Sequence, residues 1–476
     1  MSNSSFRDSQ VVIIETGRTC IRAGQGLHDL LRLPAVQVSA RVGLRRSLVT
    51  LQSESGAQSH RLPVGSQLDD ALATGQDILV SWPFDGDDIK DYTQAEALWK
   101  HILFTELKLR RLQMESPVML SIAAGLSRDS YERICQIFFE RFNAAGFAIL
   151  ERPIAQFYAV ASGTQLSAPH RRRARHRRLH RPPHPHRRPD RARRLPRLPR
   201  PPLPPNTSVM AALAPAGAPA PDALQADLLA LARHVWQSGL IKALAEGEAA
   251  RELEDEGVTD IAAIVVAGKE RAVIESGLKR RANAKAQPAE QARAKELEAL
   301  DLVTTEFRGV EITLGKERHR FCEPLFDPSL LRGVPGVEPK DEDLVQPLQS
   351  VVGDAVGRAD VDQRTYIWQG LFVTGEITNR IKGSGLSAAL SGRLSPYLLS
   401  GDVPNNEVQP RHIKTLKVPD YFAEYRDKGD GLAAFLGTSI VAKLAFTDSA
   451  GKNYVSKADY ASGGPRTILG MSPSLF

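Results

Sequence analysis

Apolar residues along this chain fall into short blocks of two different periods, and the two kinds alternate. Val11 to Ile14 is an unbroken apolar run that stops at the turn pair Thr16 and Gly17, with apolar character resuming at Cys20 and Ile21. This pattern predicts a hairpin of buried strands. From Gln94 to Lys108 the spacing becomes helical: Leu98 and Ile102, with Leu109 just beyond, share one face, and Trp99 and Leu103 lie beside it. MESPVMLSIAAG then reads as a short buried strand and Ser130 to Phe142 as a second helix. Farther on, Ala223 to Leu244 is predicted helical, and IAAIVVAG at 261–268 reads as a core strand. Leu278 to Leu300, densely charged and broken by Pro288, reads as a solvated insertion helix rather than a nuclear-import or DNA-binding patch. Ile367 to Thr374 reads as a strand, and Ala433 to Ala445 as a helix carrying Gly437. Strands alternating with helices predict α/β layers rather than a helical bundle.

A chain of 476 residues, 42% of them apolar, has room for two or three lobes with ample cores. No run approaches the roughly 18 apolar residues of a membrane span, and the start MSNSSFRDSQ lacks the features of a secretory signal, so cytosol or nucleus is expected. Cys20, Cys135 and Cys322 lie far apart without CxxC spacing. They suggest buried thiols rather than a disulfide framework or a zinc site.

The net charge of +7 is unevenly spread. Between Pro169 and Pro205 stand fourteen arginines against one acid, Asp190, so this tract carries +13 and the remainder of the chain −6. Of the tract's 37 residues, 34 are Arg, Pro, His or Leu, and none is lysine. A basic arm binding phosphates or a proline-rich linker would account for the charge or the prolines, but not for the missing lysine. All four residue types share codons beginning with C, which a gene rich in third-position C gives when read one base out of frame. The segment 164–208 is therefore expected to be disordered and to be the product of a frameshift. Its five histidines lack regular metal-ligand spacing.

Several blocks, in order along most of the chain, resemble the actin superfamily. IIETGRTCIRAGQG resembles the first phosphate loop, a strand-turn-strand whose backbone amides wrap a nucleotide's phosphates. The stretch from LWKHILF to YAVASG resembles the helix, strand, helix and crossing helix that end the first lobe. ITLGKERHRFCEPLFDPSLL is similar to the hallmark strand and following helix of the third subdomain, and LFVTGEITNRIKG to the adenosine-side loop. LAAFLGTSIVAKLAF and YVSKADYASGGP resemble the closing helix and the C-terminal tail. The second phosphate loop belongs just after Ser162 and Gly163, where the arginine tract begins, and the residues that the restored frame permits resemble that loop. FRDSQVVIIETGRTCIRAG and VTDIAAIVVAGKERAVIESG look most like the fungal subfamily of actin-related protein nine.

The resemblance implies an actin-like α/β fold: two lobes of related, ribonuclease-H-like subdomains around a central cleft. Residues 1–163 would form the first lobe and 209–430 the second, with 431–476 returning to the first. It also implies cofactor-binding positions Glu15, Thr16, Gly17 and Arg22 in the first loop, and Gly375 on the adenosine side between Thr374 and Glu376. Here the sequence departs from the family. Glu15 replaces an aspartate, Arg22 a lysine, and Thr19 a glycine, and ungapped counting sets Ile154 in place of the water-orienting glutamine, with Gln156 two residues on. No catalytic residue and no metal ligand is expected; ATP is the nucleotide the resemblance allows, and none is required. No Ser-His-Asp set, HExxH pair or P-loop offers another enzyme.

Relatives of this type sit in nuclear chromatin remodellers, paired with another actin-related protein and clasping an amphipathic helix of the motor ATPase. The expected role is accordingly that of a non-hydrolysing scaffold, with DNA contact at most indirect and no membrane. Two alternatives stand beside it: a cytoskeletal actin-related protein that binds ATP, of dynactin or filament-forming type, and a nucleic-acid binder acting through the arginine tract.

Overall fold

The apolar run that opens the chain forms strand β1, Val12–Thr16, and after the turn β2, Cys20–Gln25, pairs with it antiparallel, Glu15 opposite Arg22. These elements belong to a computed structural model. It describes residues 6–27, 32–45, 62–85, 88–161, 221–244, 301–331, 346–375, 377–378, 381, 385–398, 412–428, 430–447 and 451–473. The arginine tract and the segments 261–268 and 278–300 lie outside these residues, as do Ser162, Gly163 and Glu376. The chain divides into two units, Met1–Arg193 with Lys417–Phe476, and Arg194–Leu416.

In the first unit, β3 (Val36–Ser39) extends the hairpin, while β4 (Val42–Arg45) pairs with β5 (Ile78–Ser81) in a separate ribbon. Helix α1, Ser66–Ala73, lies between the two strands of that ribbon in the chain. Short strands β6 (Phe84–Asp85) and β7 (Asp88–Ile89) precede α2, Tyr92–Lys100. Asp91 starts this helix: its Oδ1 accepts from the amides of Thr93 and Gln94, which have no partner within the helix. The predicted helix continues as a π turn through His101–Glu106. Strand β8, Pro117–Ile122, runs parallel to β1, and β9, Gly146–Glu151, parallel to β8. Between them α3, Arg128–Gln136, is capped by Ser127 and passes into a second π turn, Ile137–Arg141. Strand β9 leads directly into α4, Arg152–Ala161.

In the second unit, α5 spans Pro221–Gln237. Sequence periodicity carried this helix to Leu244; it stops seven residues earlier, where Gly239 takes φ +64 and breaks the run. A hairpin of β10 (Val303–Phe307) and β11 (Val310–Leu314) follows. Beyond it lie α6 (Leu348–Gly357), α7 (Val361–Trp368) and α8 (Gly385–Arg393). The expected strand at Ile367–Thr374 is absent. Helix α7 runs through Trp368, Gly370 follows it, and Leu371 makes an isolated bridge to Thr415. The apolar run was read as extended, but the amides of Gln369 and Gly370 bond back to Thr365 and Ile367 and finish a helix instead.

A buried polar network ties the second unit together. Arg318, 1% exposed, donates to the carbonyls of Leu240 and Asp301 and pairs with the Asp301 carboxylate at 2.9 Å. His319 Nδ1 accepts from the Lys242 amide at 3.0 Å, so Nε2 carries the proton that faces Asp301 at 2.7 Å. Burial works against ionisation of Asp301, but hydrogen bonds from His319 and Lys242 outweigh it and hold the carboxyl at about 2. Burial lowers the His319 pKa, and the Asp301 hydrogen bond opposes that shift only in part.

From Lys417 the chain is again part of the first unit. Helix α9, Ala433–Thr447, precedes β12 (Val455–Ser456), which pairs antiparallel with β9 at the sheet edge, and two short helices, α10 (Lys457–Gly463) and α11 (Thr467–Met471), follow it. The central sheet then reads β12-β9-β8-β1-β2-β3. Alternation along the strands buries both faces. Val12, Ile14, Val118, Leu120, Phe147 and Ile149 meet Leu98, Trp99, Ile102, Ile134 and Phe138 in one core. Their alternates Ile13, Met119, Ala148 and Leu150 are also buried, on the face covered by α4 and α9. All three cysteines are buried, and burial raises the thiols of Cys135 and Cys322 to about 12, which leaves them unreactive at neutral pH.

Candidate functional site

The first-loop residues picked out from the sequence come together in the β1–β2 hairpin. Glu15 and Arg22 stand opposite each other across it, 4% and 6% exposed, and Arg22 Nη1 reaches the Glu15 carboxylate at 3.2 Å. Arg22 Nε also donates to Gln37 Oε1 on β3 at 3.4 Å. The charge of each is thus met inside the sheet. Thr16 turns the other way: its hydroxyl accepts from Trp99 Nε1 at 3.0 Å, which anchors the end of β1 to α2.

Gly17 makes the turn. Its amide donates to the Cys20 carbonyl at 2.9 Å, and a Cβ placed here would lie 2.5 Å from that same oxygen. No other residue fits without moving the backbone. Gly375 belongs to the second unit. It takes φ +133, and its carbonyl accepts from both the amide and the hydroxyl of Thr378, a local turn that also favours glycine.

A small pocket, open to solvent, lies at the turn of the hairpin. Thr16, Gly17 and Arg18 line it with Asp88, Ile122, Leu126 and Arg152; Glu15 and Arg22 do not. Arg152, at the start of α4, donates to the Thr16 carbonyl. Just before it, at the end of β9, the Glu151 carboxylate accepts from Tyr131 Oη at 2.8 Å and from the Gly125 amide at 3.3 Å. Burial, reinforced by that carboxylate, raises the Tyr131 hydroxyl and keeps it a donor.

Ungapped counting sets Ile154 in place of the water-orienting glutamine, and the sequence reading passes over Glu151 and Arg152 at the strand-to-helix junction. Ile154 lies within the first turn of α4, whereas the junction itself is Glu151–Arg152. Pro153 could have signalled this, since proline is favoured in a helix's first turn and marks the start of α4. Among the described residues no cluster of histidine, cysteine and carboxylate side chains is placed to hold a metal ion.

The actin family model matches residues 6–167, so the match ends two residues before the arginine tract. The SWI/SNF and RSC complexes subunit arp9 of Schizosaccharomyces pombe is 24% identical over 561 aligned residues, which cover 98% of this chain and 99% of that protein. The hairpin, the parallel strands beside it and the helix that crosses them all lie within the matched domain, and the similarity continues along the rest of the chain. Residues 6–167 therefore carry an actin domain, set in a mixed α/β fold that accords with an actin-like one, and the chain as a whole is similar to a fungal actin-related protein.

Proposed function

We propose that this protein is a non-hydrolysing scaffold subunit of a nuclear chromatin-remodelling complex, which binds an amphipathic helix of the motor ATPase and pairs with another actin-related protein. The observation that carries the reading is the similarity, from end to end, to a subunit of the SWI/SNF and RSC complexes. A scaffold of this kind works by burying the apolar face of a helix that is otherwise exposed on the ATPase. It needs a stable body and shaped surface, and no chemistry of its own.

The first loop supports the non-hydrolysing part. Hydrolysis of ATP needs donors aimed at the phosphates, a metal held by acidic groups, and a polar group that orients the attacking water. The residues here fit that task poorly. Glu15 and Arg22, the loop's charged pair, are engaged with each other. The Gly17 amide closes its own turn. Arg18 and Arg152 bring positive charge to the pocket, but Arg152 is hydrogen-bonded to the Thr16 carbonyl. A hairpin whose buried charges satisfy each other is suited to holding shape without a nucleotide.

The test is ATP binding and single-turnover hydrolysis by the purified full-length protein. The expected result is no phosphate release above a protein-free control and an unchanged melting temperature in millimolar Mg-ATP. Ligand present at 100 times its Kd would add about 2.7 kcal/mol, which raises the midpoint by degrees. One phosphate released per protein molecule would overturn the non-hydrolysing reading.

A further inference from the structure

The segment that joins the His101–Glu106 π turn to β8 forms a largely exposed knob. Leu112 is 94% exposed, while among the described residues the next most exposed large apolar side chain, Tyr366, stands at 63%. Single exposed apolar residues are ordinary on protein surfaces. This one differs in its support and its neighbours.

The knob is held at both ends. The Leu107 and Leu109 amides bond back to Ile102 and Leu103 at 2.9 and 3.0 Å, and Leu109 packs against the core of the first unit. Met114, on the far side, is 4% exposed. Asn143 Nδ2 donates to the Arg111 carbonyl at 3.2 Å, and its Oδ1 accepts from Lys457 Nζ at 2.7 Å. Lys108 takes φ +55, an uncommon conformation for a residue with a side chain. A segment fixed in this way presents Leu112 at little further entropic cost on binding.

Around the tip stand three exposed cations, Lys108, Arg110 and Arg111, with no ion pair among the described residues, and no acid lies between positions 107 and 114. Of the two flanking acids, Glu106 faces His101 Nε2 at 3.0 Å and Glu115 accepts from Gln10. We propose that this knob docks an acidic segment of a partner protein that carries an apolar pocket for Leu112. Burying one leucine is worth roughly ten- to a hundredfold in affinity, and the cations would steer and orient the encounter. A nucleic-acid backbone would use the cations and leave Leu112 in water. A bilayer surface would need more apolar residues than one.

The test places p-benzoylphenylalanine at position 112 of the full-length protein, irradiates cells, and sequences the crosslinked peptides by mass spectrometry. The expected adduct is a partner segment rich in Asp and Glu with apolar residues among them. Reversing two charges, Arg110→Glu with Arg111→Glu, should cut its yield about tenfold or more, since like charges then face each other. Both arginines are exposed, so melting of the variant should match the parent; should it fall, Lys108→Glu alone is read in its place. The same photoreactive residue at Val310, exposed on the β10–β11 hairpin, should not give this adduct. Crosslinking to nucleic acid, to a neutral or basic segment, to nothing, or equally from position 310 would overturn the proposal.

Discussion

Helices α4 and α9 approach so closely that Gly437 cannot be alanine. A Cβ built on Gly437 would lie 1.6 Å from the Ala155 carbonyl oxygen, against a floor of 3.0 Å for real contacts. The obstacle is backbone, so no rotamer relieves it, and the helices must part by about 1.4 Å. A gap of 0.5–1 Å already forfeits roughly a quarter to a half of each contact's dispersion energy. The seam is otherwise of small residues, with Ala155, Ala159, Ala434 and Ala442 all almost fully buried. Overpacking of this kind costs about 1–3 kcal/mol and sometimes more, and a rigid carbonyl puts Gly437→Ala near 4. Alanine's better helix propensity returns about 1 kcal/mol, leaving a net loss of about 3. With an m-value of about 3 kcal/mol/M, the urea midpoint of the first unit should fall by about 1 M. Since two units need not unfold together, the assay is hydrogen exchange of α9 amides across a urea titration. Gly392→Ala is the control: this glycine lies in α8 with nothing within 4 Å of its Cβ. There the same change should stabilise the second unit by about 0.5–1 kcal/mol. A midpoint for Gly437→Ala equal to or above that of the parent would refute the close-approach argument.

Replacing Arg22 with Met leaves the Glu15 carboxylate buried without its cation and should cost about 3–5 kcal/mol; adding Glu15→Gln should restore most of this, and a double-mutant cycle in urea showing no coupling would contradict the pairing. Ser121 is fully buried beside Glu15, and its hydroxyl has no hydrogen-bond partner among the described residues. Ser121→Ala should therefore be neutral or stabilising by about 1 kcal/mol rather than destabilising, read from the same titration. The second unit should weaken in acid in two stages. His319, with its pKa lowered by folding, resists a proton that the unfolded chain accepts below pH 6.5, so stability drops as pH falls from there. Asp301 contributes stability above pH 3.8 that is lost as pH falls toward about 2. Melting temperature against pH should show both, and His319→Gln should flatten the first stage.

Elements whose cause is local were legible in the sequence. The turn at Thr16 and Gly17, the apolar spacing of Leu98, Trp99, Ile102 and Leu103, and the run through Ala433–Ala445 each predicted an element that is present. Where a helix ends was harder, because Gly239 acts through its backbone conformation while the apolar period continues past it. Ile367–Thr374 was misread because a short apolar run suits a strand or a helix end equally well, and tertiary pairing reaches only Leu371. At the site, the family resemblance sets Glu15 and Arg22 each toward a nucleotide's phosphates. Counting outward from the turn sets them opposite one another, and their pairing follows from that register. Arg152 was beyond such reading, since its partner, the Thr16 carbonyl, lies 136 positions away.

The most direct test of the account is quantitative mass spectrometry of the full-length protein purified through a small tag at its native expression level. The scaffold reading predicts a remodelling ATPase and a second actin-related protein recovered at close to one copy each per copy of this chain. Recovery with dynactin-type or filament proteins, and without a remodelling ATPase, would contradict it.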